Sequence, residues 1–169
     1  MRGYVGRAVV IAALLATIAA PTVGAGRVRA TLDGQTIPME RVGSLACHDF
    51  EYPLIRCFDS VASLESDVAI EIARQSSGTA LAALSIGYVV VYEHVLYAGY
   101  NPKVLTTDVA WLSDIGWNDK ISSFKSFGAS GQFYEHSPSG GLVYYYGPTT
   151  QVPTLGSTYN DKFSSFYIN

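Results

Sequence analysis

"NDKISS" (Asn118–Ser123) recurs as "NDKFSS" (Asn160–Ser165), 42 positions further along the chain. The triplet "YEH" recurs at the same interval, beginning at Tyr92 and again at Tyr134. A unit of about forty residues is therefore duplicated without net insertion, and both copies, about 88–127 and 130–169, keep one polar loop. Around the loops, "YVVVYEH", "LVYYYG" and "FSSFYI" are aromatic and β-branched, with Gly, Pro and Asn between them, which predicts strands. Each copy holds two or three hairpin-sized pieces, too small to bury a core alone. Two such units packed face to face make a sandwich, so residues 87–169 are read as two interlocking halves of one β domain.

The recurring loop offers oxygen from Asn, Asp and Ser side chains and from backbone carbonyls, with neither sulfur nor imidazole. Calcium takes such hard ligands at flexible angles, whereas zinc favours His and Cys. The spacing is not that of an EF-hand, which needs acids at alternate positions and a terminal glutamate. A bland alternative is available for one copy: Asn-Asp opens a turn and Ser-Ser opens a strand. Two copies at the same place in a repeat point to a ligand role.

The duplicated unit resembles the Greek-key motif of microbial βγ-crystallins. That motif opens with an aromatic, four residues, a second aromatic, one residue and glycine, as in Tyr92-Glu-His-Val-Leu-Tyr97-Ala-Gly99. The second copy has Tyr134 and Gly141 in place but Ser139 where the second aromatic belongs. The calcium signature of the family (Asn/Asp, Asn/Asp, two variable residues, Ser/Thr, Ser) is complete in both loops. The resemblance implies a two-motif βγ-crystallin-like sandwich that binds two Ca²⁺ ions through exchanged loops. It implies one site from the carbonyls of Glu93 and Lys120, the hydroxyl of Ser122 and the carboxylate of Asp161. The other takes Glu135, Lys162, Ser164 and Asp119 in the same roles. One carboxylate per ion implies affinity on the order of micromolar or weaker. Ser139 is expected to loosen the corner of the second hairpin while leaving the metal loop intact.

The resemblance stops short of residues 26–86. Residues 1–25 carry Arg2 and Arg7, the apolar run "AVVIAALLATIAA" and a small-residue site at Val23-Gly24-Ala25, the pattern of a secretory signal peptide. Thirteen apolar residues fall short of the roughly 20 that span a bilayer, which weighs against a retained anchor. The expected mature protein is secreted and has no membrane span. Cys47 and Cys57 are then expected to pair, since an oxidising compartment favours one disulfide over a free nucleophile beside His48. Val61, Leu64, Val68 and Ile72 are spaced three, four and four, which predicts one helix over about 61–75, with Ser60 or Ser63 capping its start and Gly78 stopping it.

Composition narrows the function. Residues 26–169 hold 9 basic against 14 acidic side chains, a formal charge of −5, with no basic cluster to hold nucleic acid. No nucleophile elbow, zinc-protease or phosphate-loop motif occurs, so a non-enzymatic role is expected. His94 and His136 recur without a third histidine or cysteine and are read as surface or hydrogen-bonded residues. Two alternatives stand beside the calcium module. One is a secreted metalloprotease inhibitor of the same fold, although such inhibitors commonly carry disulfides within the domain and residues 87–169 have no cysteine. The other is a cell-surface or structural interaction module recruited by residues 26–86. The partners these imply are a secreted protease or a cell-surface component.

Overall fold

The computed structural model describes residues 27–76 and 87–169. The signal-peptide reading and the Gly78 helix stop lie outside them. Residues 27–76 form β1 (Arg29–Leu32), β2 (Gln35–Ile37), β3 (Ala46–Glu51), β4 (Leu54–Phe58) and helix α1 (Val61–Ser76), with a 3₁₀ turn over Met39–Ser44. The first repeat contributes β5 (Tyr88–Tyr92), β6 (Lys103–Leu105) and β7 (Ser123–Phe127). The second contributes β8 (Gly131–His136), β9 (Gly140–Tyr146), β10 (Gln151–Val152), the short helix α2 (Gly156–Tyr159) and β11 (Ser165–Ile168).

The two repeats exchange strands. The wide sheet runs β10-β7-β5-β6-β3-β4-β1-β2, so β10 of the second repeat pairs with β7 of the first. The narrow sheet runs β11-β8-β9, and Val109 of the first repeat bridges Phe166 of β11 through two 2.9 Å backbone bonds. Each repeat thus lends its third segment to the sheet of the other, which makes the halves interlock. Both polar loops connect such a crossing segment to the strand that follows it. The buried rings of Trp117, Phe124, Phe133, Phe163 and Phe166 fill the space between the sheets.

Residues 27–76 extend the wide sheet rather than standing apart from it. β3 lies parallel to β6, with Cys47 opposite Lys103 and His48 opposite Val104. Ile37, Val42, Cys47, Ile55 and Cys57 join the same core as the repeats. The expected disulfide is present and links directly opposed residues of β3 and β4.

Helix α1 starts where the spacing predicts, with the Ser60 hydroxyl accepting the Ser63 amide at 3.1 Å. Leu64 and Val68 pack it on Ala46 and Val104, on the face of the wide sheet away from the aromatic core. Its last turn departs from the expected apolar face. Ile72 is 36% exposed and Glu71 is buried, because Glu71 bonds Arg56 of β4 (3.3 Å) and Arg74. Asp67 completes this latch, bonding His48 and Arg56 at 2.8 Å each.

Candidate metal centre

The first polar loop leaves a 3₁₀ turn over Leu112–Ile115 through Gly116, whose φ of +68° closes that turn. The second leaves α2. Ile121 and Phe163, at the same point of each loop, are both fully buried and anchor the loops to the core. Asp119 and Asp161 both adopt φ +54°, a left-handed conformation that Asp tolerates better than most residues. The side-chain amides of Asn118 and Asn160 donate to the adjacent aspartates at 2.6 Å in both copies.

The loops grip each other through the backbone. The amide of Asp119 donates to the Phe163 carbonyl at 3.0 Å, and that of Asp161 to the Ile121 carbonyl at 3.1 Å. The aspartate of each loop therefore belongs spatially to the other. Each loop also holds its own hairpin, with the Ser122 amide bonded to the Tyr92 carbonyl (3.0 Å) and the Ser164 amide to the Tyr134 carbonyl (2.8 Å).

Around Ser122 the side chains converge as well. Its hydroxyl lies 2.8 Å from the Glu93 carbonyl oxygen and 3.0 Å from Asp161 Oδ1. One hydroxyl proton faces two acceptors here, so the cluster holds more lone pairs than protons, which suits a cation. The Lys120 carbonyl, in the same loop, accepts no backbone hydrogen bond among the described residues.

The second loop is less closed. Among the described residues no hydrogen bond joins the Ser164 hydroxyl to Glu135 or Asp119. Instead the Glu135 carboxylate accepts the Leu142 amide at 3.0 Å, and the Ser137 hydroxyl donates to the Ser164 carbonyl at 2.5 Å. The Lys162 carbonyl, like that of Lys120, accepts no backbone hydrogen bond among the described residues. Backbone placement is thus repeated between the copies, while side-chain closure is confined to the Ser122 cluster.

The described residues contain no group of three or more His, Cys, Asp or Glu side chains gathered for a metal. The donor set at either loop is instead carbonyl, hydroxyl and a single carboxylate, which fits calcium and not zinc. His94 and His136 are exposed.

Sequence reasoning missed the last serine of each loop. Ser123 and Ser165 are fully buried and donate to the carbonyls of His94 (2.6 Å) and His136 (3.1 Å), tying each hairpin to its loop. Their place at the end of the signature was the available signal. The missing aromatic at Ser139 is also compensated. In the first hairpin Tyr92 packs edge-on against Tyr97 at 5.6 Å, with Lys125 over the Tyr97 ring. In the second, Tyr167, 42 positions after Lys125, packs edge-on against Tyr134 at the same 5.6 Å, and its hydroxyl donates to the Pro138 carbonyl.

Comparison with known proteins places this architecture. No family model and no curated protein sequence matches the chain. Among solved structures, a βγ-crystallin from an archaeon is 34% identical, with 48% of this chain and 95% of that one covered and a TM-score of 0.43. A double mutant of a βγ-crystallin domain from Clostridium beijerinckii is 31% identical, covering 48% and 94%, with a TM-score of 0.42. A double serine-to-histidine mutant of clostrillin, solved in complex with nickel, is 29% identical over 48% and 95%, also with a TM-score of 0.42. With both loop signatures intact and this identity carried across nearly the whole archaeal domain, the chain belongs, through its duplicated C-terminal half, to the βγ-crystallin family.

Proposed function

We propose that the protein is a secreted, non-enzymatic calcium-binding module whose two ions fasten the halves of the sandwich together. The observation that carries this reading is the Ser122 cluster, where a carbonyl of the first hairpin, a hydroxyl of the first loop and a carboxylate of the second meet within 3.0 Å. An ion there is held by Glu93, Lys120, Ser122 and Asp161. The second ion takes Glu135, Lys162, Ser164 and Asp119 in the same roles, and the bonds of the Glu135 carboxylate and the Ser164 carbonyl leave the Glu135 carbonyl and the Ser164 hydroxyl unengaged. Each ion thereby links segments of different repeats. The arrangement of the N-terminal sequence supports export, and extracellular calcium levels suit so weakly charged a site.

Calorimetric titration of residues 26–169 with Ca²⁺ tests this. Two ions are expected to bind, and Asp161→Ala and Asp119→Ala each to abolish one. The amide resonances of Ser122 then report the loss in Asp161→Ala, and those of Ser164 the loss in Asp119→Ala. Absence of binding heat, or loss at the near loop instead of the far one, contradicts the reading.

A further inference from the structure

The wide sheet has eight strands and the narrow one three, so β3, β4, β1 and β2 reach beyond the facing layer. Strands lie about 4.8 Å apart, and a four-strand overhang is too broad for one crossing segment to cover. The 3₁₀ turn at Met39–Ser44 and the segment Asp108–Ile115 close over it and leave a cavity of about 540 Å³. That volume lies in the range of small-molecule sites. Its inner wall is mainly apolar, from Ile55, Leu105, Val109 and Ile115, with buried His48 and Asp49 beside them, their side chains already bonded to Asp67 and to Thr106 and Thr107. Trp111 and Tyr52, both about half exposed, stand at the rim with the exposed carboxylates of Asp108 and Asp114. The basic side chain in the wall, Lys103, is already engaged, its amine bonded to the carbonyls of Leu45 (2.5 Å) and Asn101 (2.7 Å).

We propose that this cavity binds a small organic cation, an ammonium group carried on an apolar body. The body displaces water from the apolar wall, and the charge rests between two carboxylates and two aromatic faces at the mouth. An anion of the same size meets the two carboxylates at the mouth. The site shares no lining residue with the proposed calcium ligands.

The probes are benzyltrimethylammonium, benzyl alcohol and benzoate, each titrated into residues 26–169, with emission read against a Trp111→Phe blank. Benzyltrimethylammonium is expected to saturate the Trp111 signal, benzyl alcohol to bind about tenfold more weakly, and benzoate to give no response. The double variant Asp108→Asn/Asp114→Asn is expected to lose about tenfold in affinity for the cation. Asparagine at 108 keeps the oxygen that accepts the Ile168 amide, so the variant is expected to melt like the parent. Equal response to all three probes, no saturable response, or an affinity unchanged in the double variant overturns the proposal. So does a lysine-rich peptide that saturates the Trp111 signal where benzyltrimethylammonium does not, since the mouth then serves a protein partner.

Discussion

At the scale of single residues, the strand crossing has positions where one atom more is one too many. Gly131 opens β8, and a β-carbon built there lies 2.0 Å from the Tyr167 carbonyl oxygen and 2.5 Å from the Tyr146 hydroxyl. Backbone on the neighbouring strand cannot step aside, so Gly131→Ala is expected to destabilise by about 3 kcal/mol or more in urea denaturation. Gly147, whose β-carbon meets nothing nearer than 3.8 Å, is the control; its alanine variant is expected to stay within about 1 kcal/mol of the parent. Equal effects at the two positions contradict this picture of the strand crossing. The paired aspartates were legible in the sequence because the repeat marked them twice. That the two loops differ in closure was not, since the contacts that tell them apart, Ser122 to Asp161 in one and Ser137 to the Ser164 carbonyl in the other, are encoded by no signature.

At the scale of elements, the helix was readable and the N-terminal strands were not. Val61, Leu64 and Val68 kept helical spacing, and the helix runs through Ser76, the last described residue of that segment. β3 reads "ACHDFE", with a histidine and an aspartate in its middle, and both are buried. A strand covered on one face by the core and on the other by α1 loses the polar alternation that betrays a half-exposed strand. Its polar residues are explained by their partners: Asp49 accepts bonds from the hydroxyls and amides of Thr106 and Thr107, and His48 bonds Asp67 of α1.

Burial lowers the His48 pKa below 6.5, outweighing the Asp67 bond that raises it. The unfolded chain then binds this proton more readily than the fold, so the stability due to neutral His48 is complete above pH 6.5 and falls as pH drops toward the folded pKa. Melting curves across that window are expected to show the loss, reduced in His48→Gln; an unchanged slope contradicts it. The Cys47–Cys57 link closes a short loop across β3 and β4, and Cys47→Ala/Cys57→Ala is expected to cost about 2–3 kcal/mol. A variant that denatures at the same urea concentration as the parent contradicts that estimate.

At the scale of the whole molecule, two interlocked repeats carry a third body of sequence on one edge. The exchange of β10 and the Val109 bridge already joins the halves through the backbone. Under the proposed function calcium adds a second join at the loops, where the backbone amides of Asp119 and Asp161 cross to the opposite loop. The 42-residue repeat made the interlocked pair legible, because neither copy can bury a core by itself. The annexation of residues 27–76 to the same sheet was not, because the parallel β3–β6 pairing links chain segments more than fifty residues apart and leaves no local trace.

The central claim, that calcium fastens the two halves, is tested most directly by thermal unfolding of residues 26–169 in chelator and in calcium. With calcium at one hundred times the dissociation constant, each site is expected to add about 2.7 kcal/mol, so that the two together raise the melting temperature by roughly 10–20 °C. Asp119→Ala and Asp161→Ala are expected each to lose part of that rise, and the double variant all of it. A melting temperature equal in chelator and in saturating calcium contradicts the account.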